Sequence, residues 1–148
     1  MSRLNIELLK KVREKIATTP EAYDQGNEAY NDQRSPCGTV ACIGGWADIL
    51  SAPNKAERDR RMRGFVDLDR AADALGLSGA SFWNEYAGGI QTERAILFTG
   101  DPDENWPAPF AGQYVNALDS DAFDGNRAIA AVAVAYLDHI IASGKVLE

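Results

Sequence analysis

The sequence predicts a single all-α domain: a compact, orthogonal arrangement of about five to seven helices around an apolar C-terminal helix. Apolar residues recur at helical spacing in several segments, and capping and stop residues separate these segments. No segment shows the alternating pattern of a half-buried strand. The length of 148 residues suits one domain with a substantial core, so residues 1–148 are taken as one unit.

The first predicted helix covers residues 4–18. One of its faces carries a stripe of four apolar side chains: Leu8, Leu9, Val12 and Ile16. Pro20 ends the helix because proline disfavours helical geometry in the residue before it, and it can open a short helical turn. Residues 24–36 are polar and predict a loop.

The segment Cys37–Ala47, with the sequence CGTVACIGGWA, contains the densest group of special residues in the chain. Thr39 is a suitable N-cap, which would make Val40 the first helical residue of a second helix ending near Ser51. Cys42 falls on the same face as Trp46, which predicts that it belongs to the core.

Gly44 and Gly45 lie inside this second predicted helix. Each costs about 1 kcal/mol relative to alanine in a helix interior. A glycine pair in such a place indicates that another backbone or a ligand comes close. We expect close helix packing to be the cause.

Capping and stop residues define the remaining helices in the same way. Asp67 is the predicted N-cap of a helix that ends at Leu75, and Gly76 is its stop. Residues 100–107 predict a loop. The other predicted helices cover residues 78–86, 92–98, 107–118 and 126–143, with Ser78, Thr92 and Asp124 as caps.

Charge and hydropathy exclude some functional classes. The net charge is −7, and residues 64–148 hold 4 basic against 13 acidic side chains. Such a balance argues against nucleic-acid binding, which needs a basic face. No segment resembles a signal peptide or is long and apolar enough to span a bilayer. These features predict a cytoplasmic protein with no membrane partner, in which the two cysteines are thiols.

Two neighbouring segments are candidates for binding an anion. Gly38 and Thr39 would offer free backbone N–H groups and a hydroxyl at a helix start. Residues 55–63 contain five basic and two acidic side chains, which suits either a solvated helix or a site for a phosphate or acidic partner. The predicted ligand-binding residues are therefore Cys37, Gly38, Thr39, Arg58, Arg61 and, as the wall of a pocket for a flat ligand, Trp106.

Cys37 also supports an alternative, enzymatic interpretation. A thiol beside a helix start is favoured as the thiolate, and His139, the single histidine, lies beside Asp138. A hydrolase or transferase with Cys37 as nucleophile and His139 as base is therefore the alternative, although nothing in the sequence brings the two together. The sequence predicts no metal and no cofactor, because Cys37, Cys42 and His139 are at most three soft ligands.

The order of several motifs resembles a group of small uncharacterised proteins from bacteria and their phages. The resemblance covers most of the chain, and the cysteine motif is its specific part. It implies no particular activity, but small phage proteins often bind host proteins or sequester signalling nucleotides. The motifs are Pro20-x-x-Tyr23-Asp24, Cys37-Gly-Thr-x-x-Cys-x-x-Gly45-Trp46-Ala47, Ala74-Leu-Gly-Leu-Ser78, Leu97-Phe98 and Trp106-Pro107.

These observations together predict a small binding protein for a host protein or a small anionic ligand such as a nucleotide. A cysteine-dependent enzyme is one alternative. The other is a structural or interaction module with no small-molecule site, in which the cysteine motif only packs helices.

Overall fold

The computed structural model describes residues 4–23, 29–31, 39–63, 66–77, 93–99, 102–120 and 127–146. Helices dominate these ranges, and the predicted all-α fold class is confirmed. The α-helices are α1 (Ile6–Thr18), α2 (Ile43–Leu50), α3 (Lys55–Met62), α4 (Leu68–Leu75), α5 (Glu93–Leu97), α6 (Pro102–Asn105), α7 (Phe110–Ser120) and α8 (Arg127–Ser143). A single 3₁₀ turn, Pro20–Ala22, follows α1 in the described part of the chain.

The structure adds one short pair of strands to this helical fold. β1 (Ala29–Asn31) and β2 (Thr39–Ala41) are antiparallel, with Tyr30 opposite Val40. Tyr23 forms an isolated parallel bridge to Ala41. The loop predicted for residues 24–36 is therefore wrong at β1. Strands of three residues are too short to produce a recognisable alternation in the sequence.

Helix α1 forms as its sequence predicts. The side chain of Asn5 caps it by accepting a hydrogen bond from the backbone N–H of Leu8 at 3.1 Å. All four residues of its predicted apolar stripe are buried. The helix ends at Thr18, immediately before Thr19 and the Pro20 turn, so the predicted stop is also confirmed.

Helix α2 begins later than the sequence predicts. Its N-cap is Cys42, whose Sγ accepts a hydrogen bond from the backbone N–H of Gly45 at 3.3 Å. The prediction of Thr39 as the N-cap is wrong because Thr39 begins β2, where the backbone pairs with β1 and is not available for a helix. Cys42 is buried, as predicted for a core residue.

The predicted N-cap of α4, Asp67, and its predicted stop, Gly76, are both confirmed. The carboxylate of Asp67 accepts hydrogen bonds from the backbone N–H groups of Asp69 at 2.9 Å and Arg70 at 3.2 Å. Gly76 has φ of 76°, a left-handed conformation that glycine adopts without steric cost.

The other predicted helices have mixed outcomes. α5, α7 and α8 lie within the ranges predicted for them, to within two residues. The loop predicted for residues 100–107 is wrong in its middle, where Pro102–Asn105 forms the single turn of α6. The helix predicted for residues 78–86 and the caps Ser78, Thr92 and Asp124 lie outside the described residues.

The helices pack into one core. α8 lies against α1 and α7, and α2 lies against α1, α3 and α4. Six residues of α8 are buried: Ala130, Val132, Ala133, Tyr136, Leu137 and Ile140. α2 is buried more completely than α8: every residue from Ile43 to Ile49 is buried. No helix among the described residues is long and apolar enough to cross a membrane.

Gly44 explains why α2 approaches its neighbours so closely. A Cβ atom at this position would lie 2.7 Å from Cδ2 of Leu68 and 3.1 Å from two atoms of the Phe98 ring. Leu68 is only half-buried and has room to move, whereas the Phe98 ring is buried. The predicted close helix packing at the glycine pair is therefore confirmed at Gly44.

We predict that Gly44→Ala destabilises the protein by about 1 to 3 kcal/mol, because an added methyl group overpacks the core against Phe98. The matched control is Gly112→Ala in α7, where the added methyl group would meet no atom within 4 Å. The control should be neutral or stabilising by up to about 1 kcal/mol, since alanine favours a helix. Urea unfolding of both variants measures the difference. Equal stability of the two variants would contradict the packing explanation.

Candidate functional site

The candidate site is centred on α3, which has the highest density of basic residues of any described helix, four in eight residues. Asn54 caps it by accepting a hydrogen bond from the N–H of Glu57 at 2.9 Å. Along the helix, Lys55 donates to Asp59 at 2.8 Å and Arg60 donates to Glu57 at 2.7 Å. Such pairs stabilise a helix that contains little apolar surface. They account for a helix at this place in the chain.

These hydrogen bonds change the pKa of the two carboxylates of α3, Glu57 and Asp59. The hydrogen bond from Arg60 lowers the pKa of Glu57, and the hydrogen bond from Lys55 lowers the pKa of Asp59. A lowered pKa means that the pairs support the helix above the ordinary carboxyl pKa values of 4.5 and 3.8. This support is lost as the pH falls through the lowered values.

Asp48 of α2 holds α3 and α4 together. Its side chain is fully buried, and its carboxylate receives a bidentate pair from Arg70, with Nε to Oδ1 at 2.6 Å and Nη2 to Oδ2 at 2.7 Å. The backbone N–H of Asp67 donates to Oδ2 at 2.9 Å. The hydrogen bond with Asp48 raises the pKa of Arg70, so this cation persists across the working pH range. The buried carboxylate is thus satisfied from two directions.

Arg61 completes this cluster from α3. Its Nη1 donates to the backbone carbonyl of Asp48 at 2.6 Å, and it lies 3.3 Å from both Asp48 Oδ1 and Ser51 Oγ. The side chain is 8% exposed. Arg61, predicted from the sequence as a ligand-binding residue, therefore lies inside the protein, where its guanidinium is used to fix α3 to α2.

The remaining basic residues of α3 face solvent. Arg58 and Arg63 are exposed, and so are Lys55 and Arg60, which form the pairs described above. We call Lys55, Arg58, Arg60 and Arg63 the basic face of α3. β1 lies against α3, so the strand pair that contains Thr39 is next to this helix.

The structure places the other predicted ligand-binding residues in different ways. Thr39 is the first residue of β2 and pairs with Asn31. Because α2 begins at Ile43, the free N–H groups of a helix start do not lie at Thr39. Cys37 and Gly38 lie outside the described residues, directly before β2 in the chain. Their binding role remains a prediction.

Trp106 is part of the core, and its predicted role as a pocket wall for a flat ligand remains a prediction. It is 3% exposed, and its ring centre lies 4.9 Å from that of Tyr136 and 5.8 Å from that of Tyr114. Within the described structure, Nε1 of Trp106 has no hydrogen-bond partner. Burial of a large aromatic surface in this cluster explains the position of the side chain.

Two residues of the enzymatic alternative, Asp138 and His139, lie on α8. Asp138 accepts hydrogen bonds from Arg13 of α1, at 2.9 Å to Oδ1 and 3.4 Å to Oδ2. The ring of His139 contacts Phe110, with 5.6 Å between centroids. Asp138 thus joins α8 to α1. Cys37 lies outside the described residues, so its proposed reactivity remains a prediction.

Sequence reasoning missed Asp48, the residue on which the site depends. One signal was present: Asp48 is the single charged residue in the eight residues of α2, IGGWADIL. A lone acid in so apolar a helix must find a cation when it is buried.

Among the described residues, no group of three or more potential metal ligands is present. Comparison of the chain with protein-family models, curated proteins and solved structures gives no match.

We predict that Asp48→Asn destabilises the protein by about 3 to 5 kcal/mol, because it removes the buried carboxylate that pairs with Arg61 and Arg70. The matched control is Asp138→Asn, which removes an exposed pair with Arg13. This control should cost no more than about 1 kcal/mol. Chemical unfolding at neutral pH measures both variants. A small loss for Asp48→Asn would show that the cluster contributes little to stability.

Proposed function

We propose that the protein is a small cytoplasmic binding protein that holds an anionic ligand between the Cys37–Thr39 segment and the basic face of α3. The observation that carries the proposal is the contact between β1 and α3. Thr39 lies opposite Asn31 in the strand pair, and Cys37 and Gly38 directly precede it. Thr39, the last residue of the Cys37–Thr39 segment, therefore belongs to a strand pair that lies against α3.

The distribution of charge supports an anionic ligand. Residues 55–63 have a balance of +3, whereas the whole chain has a net charge of −7. The basic face of α3 is therefore a local positive region on an acidic protein. Opposite charge attracts an anion to such a region.

The buried cluster around Asp48 supports a fixed site. Arg61 anchors α3 through the backbone carbonyl and the carboxylate of Asp48. Binding residues on an element held in this way lose less freedom when a ligand binds. In this proposal Arg61 is a positioning residue, and Arg58 and Arg63 are the exposed cations that would contact the anion.

Two further features agree with this proposal. Cys42 is a buried thiol whose sulfur caps α2, which suits a reducing compartment such as the cytoplasm. The resemblance to small bacterial and phage proteins suits a protein that sequesters a nucleotide or binds an acidic surface of a host protein.

We predict that ATP, ADP or pyrophosphate raises the melting temperature of the protein, since a ligand that binds only the folded state stabilises it. The double variant Arg58→Glu with Arg63→Glu should lose this effect, because it reverses the charge of the basic face. Differential scanning fluorimetry at low and high salt measures the shift. High salt should weaken it, as screening reduces attraction between exposed charges.

The control for this experiment is Lys10→Glu with Lys11→Glu, which makes the same change of net charge on the exposed face of α1. The control should keep the stabilisation by anions. Equal loss in both double variants would show a general charge effect and contradict a site on α3. An unchanged melting temperature with all three anions would contradict the proposal itself.

A further inference from the structure

A second feature of the molecule lies away from the basic face of α3. A groove of about 570 Å³ runs between the end of α1, the 3₁₀ turn and the first half of α8. Its volume is within the range of about 300–1,000 Å³ that is usual for small-molecule sites. The buried part of its lining comes from Ile16 and Ala130, and Val134 adds a half-buried apolar wall.

Small residues leave this space open. Ala17 lies on the α1 side of the groove, and Ala130 and Ala131 lie on the α8 side. Because alanine side chains end at Cβ, the two helices do not fill the volume between them. The groove therefore has an apolar surface that the described part of the chain leaves uncovered.

Two opposite charges line the same groove. Glu21 belongs to the 3₁₀ turn and Arg127 is the first residue of α8, so they stand on the two elements that border the space. In the described part of the chain, neither side chain takes part in a hydrogen bond or an ion pair. Arg127 is exposed and Glu21 is half-buried, so both are accessible from the groove.

We infer that this groove binds a short apolar peptide or amino acid that carries both a free ammonium and a free carboxylate. The ammonium pairs with Glu21, the carboxylate pairs with Arg127, and the apolar side chains cover Ile16, Ala130 and Val134. A ligand with a single charge would pair with only one of these two side chains, either Glu21 or Arg127. A ligand with both charges satisfies the two side chains together, which is the reason for choosing a zwitterion.

The test uses the tripeptide valyl-alanyl-leucine as the probe, together with its N-acetylated and C-amidated forms. Titration into the ¹⁵N-labelled full chain should shift the backbone amide signals of residues 16–19, residue 21 and residues 127–134. Each blocked end should weaken binding about two- to fivefold, the effect of one partly exposed ion pair. Glu21→Gln should remove the effect of acetylation, and Arg127→Gln should remove the effect of amidation.

Two variants of exposed alanines on α8 test the location. Ala131→Phe fills the groove and should abolish binding, whereas Ala135→Phe places the same side chain one turn further along, outside the lining. Absence of saturable binding of the free tripeptide overturns the inference, and so does equal binding of the free and blocked peptides. Equal effects of the two phenylalanine variants overturn the assignment to this groove. These outcomes are independent of anion binding at α3, which the charge-reversal variants test separately.

Discussion

The carboxylate of Asp48 is fully buried, and the positions of three helices depend on it. It lies on α2, receives the guanidinium of Arg61 from α3, and receives Arg70 together with a backbone N–H group from α4. Removing these charges from water costs several kcal/mol for each ion, and only close, multiple hydrogen bonding offsets that cost. The carboxylate of Asp48 receives all of these hydrogen bonds only when the three helices adopt this arrangement.

Packing around α2 adds a second, apolar constraint to this polar one. Gly44 lets α2 approach Leu68 and Phe98, and Trp46 is fixed through its Nε1, which donates to the carbonyl of Ala22 at 2.8 Å. Helix α2 is thus held by the ion pairs of Asp48 and by the close packing of its apolar residues. This explains why a helix of eight residues, too short to be stable alone, is the most completely buried one described.

The candidate site was only partly predictable from the basic run in residues 55–63. Helical spacing places its cations around the whole circumference of α3, so the run contains both exposed and buried arginines. Which of them is buried depends on where Asp48 stands in the fold, and that is not a local property. The sequence therefore located the charged segment, but it did not show that Arg61 is buried against Asp48.

By itself the sequence determined the local features: the all-α class, the apolar stripe of α1, the Asp67 cap with the Gly76 stop, and the bounds of the C-terminal helix. These follow from capping and from apolar periodicity, which act over a few residues. Only the tertiary structure decided the start of α2 at Ile43, the pairing of β1 with β2, the burial of Trp106 and the partners of Asp48. Each of these depends on groups far apart in the chain, whose contacts form only when the helices come together.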